Sequence, residues 1–164
     1  MQRTAYDFEI SLIAGDHDLN PTLVESLILV ESGGRADAFR FEPKFWDKYL
    51  KGKELWAKQV PRRVASSYGL MQIMYVTAWE AGYRGQPEGL FVPFVNLEWG
   101  CRHLAKLKAW AKGDLASTLA AYNGGKRGNE PGTAPLRNAA YADKVLTLYE
   151  AQRPHPEERR SLPA

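Results

Sequence analysis

The places where helices can start and stop constrain this chain more than any other feature of its sequence. Asn20-Pro21 is a strong start: an amide side chain to cap free N–H groups, then a proline whose missing N–H costs nothing at the first helical position. Leu23, Val24, Leu27, Ile28 and Val30 follow as an apolar stripe, and Gly33-Gly34 ends it. Similar punctuation recurs along the chain. Thr4 reads as the N-cap of a helix carrying Phe8, Leu12 and Ile13, with Asp7 in its acid-favouring first turn. Pro43 opens a helix with Phe45, Trp46, Tyr49 and Leu50 on one side, and Gly52 interrupts it. Lys53 to Gln59 resumes it and Pro61 ends it. Thr77 to Ala81 is a short helix before Gly82. Asn96 caps a long helix through Leu97, Cys101, Leu104, Leu107 and Ala111. Asp114 caps the next, up to Asn123-Gly124-Gly125, and Asn138 caps a last one through Tyr141, Val145 and Leu148. Lys126 to Pro135, rich in glycine and proline, reads as a surface loop. The expectation is a mainly α chain, with at most a small irregular β segment around residues 66–73. One helical domain would span residues 1–152, followed by a flexible tail over 153–164.

Composition narrows the function. With 45% hydrophobic residues in 164, there is enough apolar material for one sizeable core. The longest aliphatic run is Leu27-Ile28-Leu29-Val30, whereas a membrane span needs about 20 apolar residues, so none is expected. Cys101 is the sole cysteine, which excludes an intramolecular disulfide and any multi-cysteine metal site. His17, His103 and His155 are scattered, with no His-Glu-x-x-His, and read as surface or capping residues; no metal or cofactor is expected. A Gly-x-Ser-x-Gly nucleophile elbow and a Lys-containing phosphate loop are both missing. The net charge of +3 is mild, but residues 44–63 hold five Lys and two Arg against Asp47 and Glu54, a local excess of +5. Trp46, Tyr49 and Trp56 are interleaved there. That pattern is either a platform for an anionic polymer or an amphipathic helix pair with its aromatics in the core.

Glu31 is the carboxylate that stands out. It follows Leu27 by four and Ile28 by three, so it shares the apolar face of its helix, and it sits at the helix's C-terminal end. Apolar surroundings and the negative end of the helix dipole both disfavour its charge. A glutamate that keeps its proton near neutral pH is what a general acid requires; the plainer alternative is a last-turn surface residue.

Glu31-Ser32 is followed by Gly69-Leu70-Met71-Gln72, then Ala121-Tyr122-Asn123, then Tyr141. In this order the segments resemble the soluble lytic transglycosylases, relatives of goose-type lysozyme, over about residues 20–149. The resemblance implies a lysozyme-like α+β fold and cleavage of peptidoglycan glycan strands between N-acetylmuramic acid and N-acetylglucosamine, without a cofactor. It implies Glu31 as the acid that protonates the leaving oxygen and then acts as base. Ser32 would belong to the substrate site with it. Gln72 would hydrogen-bond a sugar or be a structural amide. Met71 would pack beneath the cleft, Tyr122 would hold or polarise Glu31, Asn123 would orient its loop or contact glycan, and Tyr141 would complete the pocket. Both tyrosines are otherwise core residues with a satisfied hydroxyl.

The chain departs from the family pattern in several places. Ser66-Ser67 stands where Gly-Ala is common, Tyr75 where proline is common, Gly125 where alanine is common, and residues 39–65 form an insertion. The insertion supplies Glu42, a possible second carboxylate. A hydrolase of the goose type needs such a base about 6.5–9.5 Å from the acid to activate water, and Glu42 or Asp47 is the nearest candidate. A transglycosylase needs only one carboxyl, because the substrate's O6 closes a 1,6-anhydro ring instead of water entering. Glu42 could equally be a helix-start acid before Pro43 or the partner of Arg40. The single-acid reaction is favoured over the muramidase, over a non-catalytic wall-binding module and over a DNA-binding domain, whose basic residues would lie on a recognition helix. A monomer binding glycan strands, not nucleic acid, is expected. Met1 to Glu9 lacks the apolar segment of a secretory signal. The expected location is therefore a host cytoplasm before release to the periplasm and cell wall, as for a bacteriophage endolysin, or a virion-associated lysin; a secreted bacterial enzyme without its leader also fits.

Overall fold

Asn20 caps the helix it was expected to cap. Its Oδ1 accepts from the N–H of Thr22 at 2.9 Å and of Leu23 at 3.4 Å, and the helix, α2, runs Pro21–Glu31. The computed structural model describes residues 4–153, so the expected tail lies outside the described residues beyond Arg153. Before α2 comes α1 (Asp7–Asp16). It starts after Tyr6, not at Thr4; the Thr4 N–H donates to Glu25 Oε1 at 2.8 Å, and its hydroxyl accepts from the Tyr6 N–H at 3.4 Å ahead of the helix.

After α2 the chain forms β1 (Phe39–Phe41), α3 (Pro43–Phe45) and a π-helical turn over Trp46–Leu50. Next come α4 (Glu54–Ala57) and α5 (Pro61–Val64). Pro61 therefore opens a turn of helix, at the position where its absent N–H is harmless, and does not merely end the one before. Strands β2 (Ser66–Tyr68) and β3 (Ile73–Met74) lead into α6 (Tyr75–Glu80) and a 3-10 helix over Pro87–Phe91. The last three helices are α7 (Pro93–Trp110), α8 (Leu115–Gly124) and α9 (Ala139–Gln152). Asp114 caps α8, accepting from Ser117 N–H at 2.7 Å, whereas Asn138 precedes α9 without a capping bond. The fold is mainly α with one small antiparallel sheet ordered β1-β2-β3. Strand β1 was not foreseen, since three residues are too few for alternation to be read.

The sheet sets two faces by its register. Arg40 pairs with Ser67 and Ser67 with Met74; Phe39 pairs with Tyr68 and Tyr68 with Ile73. Successive side chains point to opposite faces, so Phe39, Tyr68 and Ile73 share one and Arg40, Ser67 and Met74 the other. Tyr68 and Ile73 belong to one apolar cluster with Leu50, Trp56, Val64, Tyr75, Val76 and Leu90. Leu70 and Met71, between β2 and β3, belong instead to a second cluster built from α1, α2, α7, α8 and α9. The turn from Tyr68 to Ile73 thus stitches two cores together.

Such a turn buries backbone polar groups that no regular ladder satisfies, and each needs a partner. Asn96 supplies two of the bonds and a third to the 3-10 helix. It is fully buried; its Oδ1 accepts from Met71 N–H at 2.8 Å, and its Nδ2 donates to the carbonyls of Tyr68 at 2.7 Å and Leu90 at 2.8 Å. The expected cap role is therefore corrected: α7 begins at Pro93, and Asn96 is an internal clamp. Gly69 makes the approach possible, since a Cβ there would stand 2.5 Å from Asn96 Nδ2, and its φ is +69°. Asn96→Ala leaves three buried backbone groups unpaired, at about 1–3 kcal/mol each with partial relaxation. The expected loss of stability is about 3 kcal/mol in urea unfolding at unchanged slope; a loss under about 1 kcal/mol would mean the turn is held by its packing.

Candidate active site

Helix α2 ends at Glu31 because Ser32 and the two glycines after it leave helical geometry. Gly33 and Gly34 have φ of +64° and +80°. Ile28 and Leu27, one turn back, are fully buried, which draws the Glu31 side chain toward the interior as its spacing requires. Helix α9 packs along α2 and brings Tyr141, whose hydroxyl donates to Glu31 Oε1 at 2.5 Å. Burial raises the pKa of Glu31 above the ordinary carboxylate value of 4.5; the bond from Tyr141 and the charges of Arg40 and Lys144 pull it partly back. Burial, the Glu31 charge and the same bond raise the phenol of Tyr141, so it stays a donor.

Glu31 opens onto a cleft of about 600 Å³. Arg40, Ser67 and Met74, one face of the sheet, line it with Glu42 and Gln72; Phe45 and Tyr49 extend one wall, and His103, Tyr122 and Asn123 belong to another. The expected site residues divide within this arrangement. Glu31, Gln72, Tyr122, Asn123 and Glu42 come together around the cleft. Met71 is fully buried, packed against Cys101 with sulfurs 3.9 Å apart. Its carbonyl accepts from the Tyr122 hydroxyl at 2.7 Å. The tyrosine that bonds Glu31 is therefore Tyr141, and the expected holding of Glu31 by Tyr122 is corrected: Tyr122 is tied to the Met71 backbone. Ser32 is also corrected. It is buried, its hydroxyl lies 2.7 Å from the Leu70 carbonyl and 3.1 Å from that of Ile28, and it fastens the end of α2 to the turn below the cleft.

Gln72 holds a left-handed backbone, φ +48°, unusual for a non-glycine residue. Its Nε2 donates to the carbonyls of Ala38 and Gly69, each at 3.0 Å, which anchors the turn and leaves the amide oxygen as the group available to the cleft. Asn123 Oδ1 accepts from Asn138 Nδ2 at 2.9 Å, tying the end of α8 to the start of α9. Glu42 is paired with Arg40, Oε1 to Nε at 2.5 Å, while Asp47 stands 4.0 Å from Lys51 on an exposed face. Of the aromatics in the basic stretch, Trp56 is buried in edge-on contact with Tyr75 and Trp79, Trp46 packs on the same core, and Tyr49 alone of the three lines the cleft.

His103 was read as a surface or capping residue and is neither. Its ring lies 5.4 Å from that of Tyr122 in the cleft wall. Burial and the nearby charges of Lys106 and Lys126 lower its pKa to about 4, so the imidazole is neutral at pH 7. The signal was its four-residue spacing from Leu107, which shares the cleft. Among the described residues no cluster of His, Cys, Asp and Glu could hold a metal ion, and no helix is long and apolar enough to cross a membrane.

Residues 11–143 match the family model of the Transglycosylase SLT domain. The chain belongs to this family. The SLT fold is also found in solved structures similar to this one. An inactive mutant of lytic transglycosylase Slt from Pseudomonas aeruginosa superposes with a TM-score of 0.66 at 19% identity, over 93% of this chain and 25% of that one. The 70 kDa soluble lytic transglycosylase of Escherichia coli gives a TM-score of 0.62 at 18% identity, over 90% of this chain and 24% of that one. This SLT chain thus spans about a quarter of the length of each. No curated protein matches it in sequence.

A carboxyl whose pKa is raised by folding favours the native state below 4.5, and that contribution is lost as pH rises through the folded pKa. Glu31→Gln removes the buried charge and keeps an acceptor for Tyr141. The variant is expected to melt above the wild type at pH 7–8, with the difference closing toward pH 4 in calorimetry. Equal melting temperatures at both pH values would show that Glu31 is not buried enough to be perturbed.

Proposed function

We propose that this chain cleaves the glycosidic bond between N-acetylmuramic acid and N-acetylglucosamine in peptidoglycan as a lytic transglycosylase, with Glu31 as its only acid and base. The observation that carries the reading is the Glu31 carboxyl, its pKa raised by burial, held by Tyr141 at the edge of a cleft large enough for sugar rings. Membership of the SLT family supports the same substrate.

The reaction needs no second carboxylate. As the Glu31 proton passes to the leaving N-acetylglucosamine O4, the C1–O4 bond breaks and the muramic acid's own N-acetyl oxygen bonds to C1. Glu31, now a carboxylate, takes the proton of the same sugar's O6, which attacks C1 and displaces the acetamido oxygen. The product is a 1,6-anhydro end, no water is consumed, and Glu31 regains its proton. Tyr141 stabilises the intervening carboxylate with a charge-assisted bond. The amide oxygen of Gln72 is placed to accept from a sugar hydroxyl or acetamido N–H.

A hydrolytic reading has one observation in its favour, that Glu42 lines the same cleft as Glu31. Its carboxylate is already engaged by Arg40, which disfavours it as a base for water.

Glu31→Gln is expected to lower wall lysis about 100- to 10,000-fold, the usual contribution of a general acid, while leaving the circular dichroism spectrum unchanged. Near-normal lysis would end the assignment. Mass spectrometry of digested peptidoglycan should show muramic ends one water lighter than hydrolysed ends; reducing ends would establish the muramidase instead. Tyr141→Phe withdraws the bond that favours the carboxylate, so the alkaline fall of activity should move to higher pH; a profile unmoved would place the control of Glu31 elsewhere.

A further inference from the structure

Arg40 and Glu42 form a pair at the cleft that the reaction above does not use. Glu42 follows Arg40 by two along an extended segment, and the Glu42 N–H continues the strand pairing by donating to the Ala65 carbonyl at 2.9 Å. Both side chains therefore project from the same face of the sheet, the face that lines the cleft with Glu31. Arg40 Nε lies 2.5 Å from Glu42 Oε1, with the arginine side chain 62% exposed and the glutamate 34%. Arg40 is also a cation whose field reaches both Glu31 and Tyr141, pulling the pKa of each downward. Among the described residues Glu31 takes part in no ion pair within 4 Å.

We infer that Glu42 is a positioning residue: it holds the Arg40 guanidinium on itself and so keeps that cation from pairing with Glu31 and stripping it of the proton the reaction needs. The inference rests on Glu31 being the acid of the proposed reaction. Its physical basis is competition between two carboxyls for one flexible guanidinium. Glu42, with a side chain 34% exposed, pairs with it at little desolvation cost; Glu31, whose charged form burial disfavours, would pair only by becoming charged there. The other groups acting on Glu31 are Lys144 and Tyr141, both on α9. Tyr122 on α8 feels the Glu31 charge through its own raised pKa and is spent on the Met71 carbonyl. None of these depends on Glu42.

The test is a carbon-13 NMR titration of the Glu31 carboxyl in the wild type, Glu42→Gln, Arg40→Gln and the double variant, with wall lysis followed across the same pH range. Glu42→Gln should lower the Glu31 pKa by about half a unit at low ionic strength, the size expected of a newly freed exposed cation. The alkaline fall of activity should move down with it, and added salt should shrink the shift. Arg40→Gln should raise the Glu31 pKa, and in that background Glu42→Gln should produce no fall. An unmoved titration in Glu42→Gln, or the same fall without Arg40, overturns the inference. If Glu42→Gln abolishes turnover at every pH, with Arg40 or without it, Glu42 is a reacting base and the positioning role is likewise overturned. Undiminished lysis by Glu31→Gln would instead remove the acid assignment, while the titration still reports whether Glu42 restrains Arg40.

Discussion

The structure depends on how the turn from Tyr68 to Ile73 is hydrogen-bonded. This segment passes between two apolar clusters, away from water, and main-chain bonds satisfy only part of its backbone. Side chains from distant parts of the chain do so. Asn96 takes the Tyr68 carbonyl and the Met71 N–H, Ser32 the Leu70 carbonyl and Tyr122 the Met71 carbonyl, while Gln72 turns back onto Gly69 and Ala38. Each bond contributes only about 1 kcal/mol net, but each buried group left without one would cost more, so the arrangement is over-determined. Because Ser32 adjoins Glu31 and Tyr122 lies in the cleft wall, the same bonds that hold the turn also set the distance between the acid and the floor of its pocket.

The electrostatics of the cleft follow from that packing. Glu31 lies at the C-terminal end of α2, where the helix dipole favours cations, and against buried Leu27 and Ile28. Both effects disfavour its charged form. Tyr141 acts in the opposite sense, since its hydroxyl stabilises the charged form. On the proposed mechanism, the acid must give up its proton and then recover one, which calls for such a balance and not for the deepest possible burial. The neutral His103 ring and the Arg40–Glu42 pair complete a wall in which Glu31, bonded to Tyr141 and in no ion pair among the described residues, is the carboxyl assigned the chemistry.

Much of the helical plan was legible because helix ends are local chemistry. Asn20-Pro21, Asp114, Gly33-Gly34 and Gly125 act where they stand, through their own amides, carboxylates or positive φ. Asn96 is an equally plausible cap and does something else, because its partner Met71 is 25 residues away; the Thr4 N–H is likewise drawn to Glu25, 21 residues on. Pattern reading assigns a polar residue before an apolar run to a cap; only burial reveals that a more demanding set of donors and acceptors has claimed it. Strand β1 escaped for the related reason that three residues become a strand only when Ser66, Ser67 and Tyr68 lie alongside.

The candidate site divides along the same line. The sequence by itself determined that Glu31 is an acid on an apolar helix face, since that follows from three- and four-residue spacing and the glycines after it. Its order of motifs also pointed to the family. Only the tertiary structure decided which tyrosine meets Glu31, that Ser32 fastens the helix to the turn, that Trp56 belongs to the core, and that Arg40 and Glu42 face the acid as a pair. Spacing along one helix fixes the direction of a side chain, whereas the partner it finds depends on how α9, α8 and the sheet dock around it, and that is settled by the packing of the whole core.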